Sequence, residues 1–406
     1  MGIFVARQPI FDAGDKLRGY ELLYRGDAAV SSADGSDRNT MSAKVIANSL
    51  LGMGLRDLAG DVPGFVNITK EQLMAHTYEL FTPASVVIEL LETCTHNDET
   101  RAAARAMQAA GYTIALDDFE IGQSNAELLD MASIVKIDVL NRSRESLEAV
   151  VEHVRPFNVR MLAERVETQE QYAQCRDMGF ELFQGYFHAR PETIHTEDVD
   201  AQQASMIRLL NLLRDPRSSD AAIEEAFASD PGLCYKLIRM VHSAAIGAPA
   251  VNSIGHAARL VGRNMMHRWL YVLFTASFAS EGDTARELVR HALARGRFCE
   301  LIAWNGAGGF PADVLFMTGL LSRLDALMRV TMARVVSGIE VTPDTRSALL
   351  SRSGSQAPVL CLAEAYETGA WDRVTEYASI VGLDPDIVGG IYVESIQWAE
   401  QQLLLA

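Results

Sequence analysis

The sequence lacks the cysteine pairs of a disulfide framework or a zinc site. Its 406 residues include five cysteines, an odd number, widely spaced and without a Cys-x-x-Cys pair. A disulfide framework uses an even number of cysteines, and a zinc site uses closely spaced ones. We therefore expect a protein of a reducing compartment, with the cytoplasm as the simplest location.

Long hydrophobic runs are also missing. The longest uncharged apolar stretch, Trp269 to Ser280, is too short to cross a bilayer. The first residues, Met1 to Ile10, do not have the architecture of a signal peptide. We expect no membrane association, and we interpret the apolar stretch as a buried helix.

Positive charge is scarce in the first half of the chain. The formal net charge is −17, and residues 1–200 carry −14 of it. Such a surface repels a long nucleic acid unless a basic patch intervenes, and no such patch is visible. A phosphate ligand of this half would need divalent cations between itself and the carboxylates.

Apolar, strand-like segments alternate with helical periodicity over the first 200 residues. About eight such repeats within this length favour a closed, mainly parallel (β/α)8 barrel over an open sheet. After Pro191 helical periodicity dominates, as in Ala312 to Val330, which we interpret as one helix. We predict an α/β barrel at residues 1–198 and an all-helical domain at residues 199–406.

Polar residues suited to metal or phosphate chemistry end six of the strand-like segments. Because the carboxyl ends of barrel strands meet at one mouth, these residues are expected to form one site. They are Glu21, Asn67, Glu89, Asp117 with Asp118, Lys136 and Glu164.

The types of these residues indicate two-metal phosphodiester chemistry. The predicted ligands of Mg²⁺ or Mn²⁺ are the hard oxygen donors Glu21, Asn67, Glu89, Asp117 and Asp118. Lys136 would stabilise charge that develops on the phosphate, and Glu164 would ligate metal or help to deprotonate the attacking water.

Seven ordered motifs resemble the signatures of EAL domains, (β/α)8 barrels that bind cyclic di-GMP and in many cases hydrolyse it to linear pGpG. The motifs are Tyr20-Glu21-Leu22-Leu23-Tyr24-Arg25, Val66-Asn67-Ile68-Thr69, Glu89-Leu90-Leu91-Glu92, Asp117-Asp118-Phe119, Lys136-Ile137-Asp138, Ala163-Glu164-Arg165-Val166-Glu167 and Gln184-Gly185-Tyr186. The second half, including Asp230-Pro231 and His242-Ser243-Ala244, resembles an HDOD domain.

The resemblance adds further expected roles. Leu23, Arg25 and Gln184 would contact the ligand, while Glu92 and Glu167 would support the site. The resemblance also implies a protein partner for the helical half and allows a homodimer.

Structural alternatives stay open for individual residues. A single strand-end carboxylate often caps a helix, Asn67 could close a turn, and Lys136 could form a structural salt bridge. Arg25 could be a surface group, because Gly26 follows it where EAL domains commonly have tryptophan. Gln184 could be either a ligand contact or a buried amide with satisfied hydrogen bonds.

Two departures from the EAL pattern bear on activity. Glu120 replaces the first glycine of the loop F-G-T-G-Y-S-S, and Arg165 replaces the glycine of A-E-G-V-E. Glu120 would restrict the backbone, and Arg165 could fill part of the pocket or pair with Glu120. The sequence slightly favours a non-catalytic protein that binds cyclic di-GMP and relays the signal through the helical half. The alternative is an active metal-dependent phosphodiesterase.

Overall fold

The computed structural model describes residues 4–25, 55–91, 94, 97–122, 126–185, 201–241, 260–306, 311–339 and 341–405. It confirms the predicted fold class: eight strands form a closed barrel in chain order, and helices follow. The strands are β1 (Phe4–Asp12), β2 (Leu17–Arg25), β3 (Gly64–Ile68), β4 (Val86–Leu90), β5 (Thr113–Leu116), β6 (Ile134–Asp138), β7 (Arg160–Glu164) and β8 (Leu182–Gln184).

Strand β1 departs from the predicted pattern. It runs antiparallel to both of its neighbours, β2 and β8, whereas all the other neighbouring strands pair in parallel. No strand is predicted here from the sequence; Pro9 lies within the segment, and proline weakens a strand assignment. The tight connection from Asp12 to Leu17 forms a hairpin instead of a strand–helix crossover.

Side chains alternate between the two faces of each strand, so the inward-facing ones fill the barrel interior in layers. Seven strands each contribute one buried apolar residue to a common inner cluster; these are Ile10, Phe65, Val87, Ala115, Ile134, Leu162 and Leu182. On β2 the corresponding position is Gly19, where a Cβ atom would lie 2.6 Å from the Phe65 ring. Side chains two residues apart share a face of a strand. On strands β2–β8, the residue two positions after the layer residue, toward the carboxyl end, therefore also points inward.

Helices surround the barrel and make up the second half of the chain. Within the first 185 residues the described α-helices are α1 (Leu55–Ala59), α2 (Lys70–Met74), α3 (Asp98–Ala109), α4 (Arg144–Val154) and α5 (Gln169–Met178). The later ones are α6 (Ala201–Arg214), α7 (Asp220–Ala228), α8 (Pro231–Val241), α9 (Arg263–Ser277), α10 (Asp283–Asn305), α11 (Ala312–Leu321), α12 (Leu324–Met328), α13 (Met332–Gly338), α14 (Pro343–Ser351), α15 (Ala357–Glu367), α16 (Trp371–Val381) and α17 (Pro385–Leu405). In the part of the chain covered by the structure, no helix combines the length and apolarity needed to cross a bilayer.

The single helix predicted from Ala312 to Val330 is wrong, because the chain forms α11 and α12 with a break between them. Ser322 follows α11, and its hydroxyl donates a hydrogen bond to the carbonyl oxygen of Gly319 at 2.6 Å. A serine that bonds to the preceding turn competes with continuation of the helix.

The chain forms two compact units whose bounds are not contiguous in sequence. One unit comprises Met1–Glu192, Gly282–Thr284 and Glu364–Glu394, and the other comprises Thr193–Glu281, Ala285–Ala363 and Ser395–Ala406. Part of the C-terminal region thus belongs to the unit that contains the barrel. The domain division at residue 198 stays a prediction.

The helical unit depends on close contact between α10 and α11. A Cβ atom on Gly319 would lie 2.6 Å from the carbonyl oxygen of Arg295 and 2.9 Å from Sγ of Cys299. We expect Gly319→Ala to lower the free energy of unfolding by about 1–3 kcal/mol, the usual cost of overpacking. The measurement is chemical denaturation of the full chain. Gly338→Ala, at the end of α13 with nothing within 4 Å of its added Cβ, is the control. An equal loss in both variants would contradict the expectation.

Candidate active site

Lys136 lies at the centre of four carboxylates that come from four different strand ends. Its Nζ atom is 2.8 Å from Oε1 of Glu89, 2.8 Å from Oδ1 of Asp117, 2.9 Å from Oε1 of Glu164 and 3.3 Å from Oε1 of Glu21. The side chains of Lys136 and Glu89 are completely buried, and those of the other three acids are 8–13% exposed. The structure therefore brings these five predicted site residues together.

Strand parity explains this convergence. On each strand, the site residue lies two positions after the residue that belongs to the inner apolar layer. Lys136 thus follows Ile134, and Glu164 follows Leu162. On β2 the layer position is occupied by Gly19, and Glu21 follows it. The parallel register places Asp138 opposite Glu164 and Asn67 opposite Glu89, so the strand ends lie level with one another. The site is thus the next inward layer above the apolar one.

Three amide side chains form hydrogen bonds around Glu21. Those of Gln184 and Asn67 donate to its carboxylate, and that of Gln8 accepts from Gln184. Gln184 donates from Nε2 to Oε2 of Glu21 at 2.6 Å and to Oε1 of Gln8 at 2.9 Å. Asn67 donates from Nδ2 to Oε1 of Glu21 at 3.4 Å. Gln184 is buried, and its two donated hydrogen bonds go to protein side chains, as expected of a buried amide; its role as a ligand contact stays a prediction. Gln8 is not predicted from the sequence, because its place in the site follows only once β1 is identified as a barrel strand.

The centre contains four buried or nearly buried carboxyl groups and one ammonium group. Burial raises the pKa of Glu89 well above its ordinary value, although Lys136 acts in the opposite direction. Burial also raises the pKa of Glu164 to about 8. Burial by itself would lower the pKa of Lys136, but the four acids, Glu164 most strongly, raise it well above its usual value. Lys136 is therefore charged, whereas Glu89 and Glu164 hold their protons more strongly than exposed acids do.

The donor set fits a hard divalent cation. Glu21, Asn67, Glu89 and Asp117 offer carboxylate and amide oxygens, which Mg²⁺ and Mn²⁺ prefer. Oε2 of Glu89 is buried and has no hydrogen bond to any residue that the structure describes. Within the same described ranges, no three acidic, imidazole or thiol groups form a ready-made metal cluster, and the Lys136 ammonium lies where the carboxylates converge.

The adjacent aspartates differ in their environment. Asp117 contacts Lys136, whereas Asp118 is exposed and has a left-handed backbone with φ of 43°. Strand β5 ends at Leu116, before this turn. The structure therefore does not place Asp118 among the acids around Lys136.

The other predicted ligand-binding and supporting residues are less completely defined. Leu23 lies two residues beyond Glu21 on β2 and is half-buried, and Glu167 is half-buried just before α5. The side chain of Arg25 and the whole of Glu92 lie outside the described residues. Their roles stay predictions.

The two substituted positions do not enter the centre. Glu120 has a 54% exposed side chain and accepts a hydrogen bond from Arg142 at 2.9 Å. Arg165 has a 61% exposed side chain and pairs with Asp138, so its expected pairing with Glu120 is wrong. Arg165 has a φ of 54°, in the left-handed region that favours glycine, but Glu120 does not have a positive φ. Backbone strain therefore falls on Arg165 and not on Glu120.

Comparisons with known proteins agree with this fold. The EAL domain family matches residues 39–191, and the HDOD domain family matches residues 201–340. The EAL match begins after β2, so Glu21 lies outside it. An uncharacterised protein of Bacillus subtilis, YuxH, is 30% identical over 406 residues, covering 98% of this chain and 98% of the relative.

The barrel, its lysine–carboxylate centre and the helical half together define a class, an EAL domain joined to an HDOD domain. A Vibrio cholerae protein, named cyclic di-GMP phosphodiesterase CdgJ, is 29% identical over 403 residues, covering 98% of this chain and 92% of the relative. The chain belongs to the EAL–HDOD family.

Two solved structures are similar to part of this chain. Klebsiella pneumoniae BlrP1, in a complex with calcium and cyclic di-GMP, has 25% identity and a TM-score of 0.39, covering 46% of this chain and 55% of that chain. An EAL domain protein from Listeria monocytogenes has 22% identity and a TM-score of 0.36, covering 46% of this chain and 87% of that chain.

Removal of the central cation should destabilise the barrel. Lys136→Met leaves four acids without their shared ammonium, so we expect a loss of about 3–5 kcal/mol in unfolding free energy, the usual cost of breaking a buried ion pair. The measurement is thermal and chemical unfolding with EDTA and again with Mn²⁺, which should reduce the loss. Arg144→Ala breaks the exposed pair with Glu148 and should have no measurable effect. Equal effects of the two variants would show that the central lysine is dispensable.

Proposed function

We propose that this chain is a divalent-metal-dependent phosphodiesterase that hydrolyses cyclic di-GMP to linear pGpG. The observation that carries the proposal is the convergence of Glu21, Glu89, Asp117 and Glu164 on Lys136 at the carboxyl ends of the barrel strands. The name of CdgJ, a relative matched over nearly the full length of both chains, supports the same substrate.

The residues of the centre have distinct roles in this proposal. Bound divalent ions would polarise the phosphodiester and lower the pKa of a water molecule. Glu21, Asn67, Glu89 and Asp117 would hold the ions, and Gln184 would orient Glu21 through its hydrogen bond. Lys136 would keep a fixed positive charge beside the reacting phosphate.

Glu164 is the candidate proton acceptor or an additional metal ligand. Its Oε1 lies 2.9 Å from Nζ of Lys136, and its side chain is 12% exposed, so the carboxylate reaches both the buried centre and the mouth. A base must lie within hydrogen-bond reach of the attacking water. A carboxylate at the boundary between the centre and solvent suits that role.

The positions of the substituted residues favour hydrolysis over binding alone. The sequence indicated weak support around the site, because Glu120 and Arg165 replace glycines. Both side chains are more than half exposed, and each has a partner outside the acidic centre, Arg142 for Glu120 and Asp138 for Arg165. Neither side chain occupies the space between the acids, where Lys136 lies.

Binding of cyclic di-GMP without hydrolysis is the second candidate. The position of Lys136 favours it, because an ammonium within 3.3 Å of four carboxylates already supplies part of the charge that metal ions would supply. In that case the barrel would sense the dinucleotide and the HDOD half would relay the signal. A protein partner for the helical half stays a prediction in both cases.

The proposed activity requires an intact acidic centre. Purified full-length protein is incubated with cyclic di-GMP and Mg²⁺ or Mn²⁺, and both binding and the linear product are measured. We expect product from the unaltered protein. Glu21→Gln should lower turnover by more than the roughly 10- to 100-fold typical of residues that only orient a ligand. Glu148→Gln makes the same chemical change on the exposed face of α4 and should leave turnover unchanged.

The possible outcomes separate the candidates. Saturable binding without product would replace the phosphodiesterase by a sensor. Neither binding nor product would leave the barrel as a protein scaffold. Product formation that persists in Glu21→Gln would contradict the assigned centre.

The altered loop should not limit the rate. Glu120 is exposed and pairs with Arg142, and Ile121 beside it is 48% exposed. We therefore expect the double variant Glu120→Gly, Ile121→Thr, which restores the EAL pattern at two positions, to leave turnover and affinity nearly unchanged. The measurement is steady-state hydrolysis of cyclic di-GMP. A large rise in turnover would mean that this loop controls the centre.

A further inference from the structure

The C-terminal region contributes a segment to the barrel unit that neither family match covers. The HDOD match ends at residue 340, yet Glu364–Glu394 belongs to the same compact unit as the barrel. Val393 packs against the main hydrophobic cluster of the barrel, and Tyr366 is completely buried. This segment is therefore part of the barrel's packing.

Tyr366 accepts a hydrogen bond from the first part of β1. Among the described residues, β8 pairs with β1 only at Ile10, Phe11 and Asp12, so the first part of β1 lacks that neighbour. Val5 lies in this part, and its backbone N–H donates to the hydroxyl of Tyr366 at 3.1 Å. A buried backbone N–H without an acceptor is costly. The hydroxyl of Tyr366 thus satisfies the N–H of Val5.

Gly369 lies against β2, the strand that carries the predicted ligand contact Leu23. It follows α15 with a φ of +67°, and its N–H donates to the carbonyl oxygen of Tyr366 at 3.1 Å. A Cβ atom on Gly369 would lie 3.0 Å from Cδ1 of Leu23. Leu23 is opposite Ala6 in β1 and has the same strand parity as Glu21. The segment therefore contacts β2 just beyond the acidic centre.

We propose that Tyr366 and Gly369 are positioning residues for the ligand-binding end of β2. Tyr366 fixes the adjacent end of β1 through Val5, and Gly369 limits where the Leu23 side chain can lie. The ligand mouth is then built from both ends of the chain. The consequence for cyclic di-GMP rests on the proposed function, but the effect on β1 and β2 does not.

Hydrogen–deuterium exchange of the full chain tests the mechanical part without ligand. We expect faster exchange in peptides from β1 and β2 in Tyr366→Phe, which loses the hydroxyl acceptor, and in Gly369→Ala, which crowds Leu23. Gly382→Ala is the matched control, because Gly382 also has a positive φ, of 78°, ends α16 in the same unit and has nothing within 4 Å of an added Cβ. The proposal would be overturned if the β1 and β2 peptides of both variants exchanged at the same rate as those of the control.

Steady-state kinetics tests the positioning of Leu23. Gly369→Ala should raise KM for cyclic di-GMP by about fivefold at unchanged kcat, because contacting residues couple at this scale and the acidic centre is not displaced. Leu23→Val removes a methyl group from the crowded end of the side chain, so the double variant Gly369→Ala, Leu23→Val should have the KM of Leu23→Val alone. A fall in kcat with unchanged KM, or no rescue, would mean a purely structural role and overturn the proposal.

The two experiments fail separately. If the unaltered protein neither binds nor hydrolyses cyclic di-GMP, the proposed function fails, and the exchange pattern still decides whether Tyr366 and Gly369 hold β1 and β2. If hydrolysis is observed but neither exchange nor KM responds to Gly369→Ala, the proposed function stands and the positioning role fails.

Discussion

The buried ammonium of Lys136 is the interaction on which the site depends. Four carboxylates from separate strands lie within 3.3 Å of it, and without a shared cation they would repel one another in a site that excludes most water. Closure of the barrel brings these acids together, and the lysine makes their proximity tolerable. In the proposed function, the same carboxylates would hold the divalent ions.

The apolar layer beneath the centre explains why fold and site cannot be separated. Phe65 occupies space that Gly19 leaves free, and residues such as Ile134 and Leu162 fill the rest of the barrel interior. The next inward positions on the same strands are the site residues. A shift of one residue in any strand would move its site residue outside the barrel. Packing of the apolar layer therefore sets the positions of the site residues.

The structure changes the weight of the two substitutions that distinguish this chain from the usual EAL pattern. Glu120 and Arg165 lie on the exposed side of the strand ends and pair with Arg142 and Asp138. Ion pairs at such exposed positions contribute little to stability. The substitutions alter the rim of the barrel, and the acidic centre below keeps its arrangement.

The sequence by itself determined the barrel, the helical second half and most of the centre, because apolar strand periodicity and the polar residues that end each strand are local signals. Only the tertiary structure decided that β1 is a strand, since Pro9 obscures it and its partners confirm it. The same holds for Gln8 beside Gln184, for Arg165 with Asp138, and for Tyr366 beside Val5, which is 361 positions away. Contacts between residues so distant in sequence depend on packing, which local propensity does not encode.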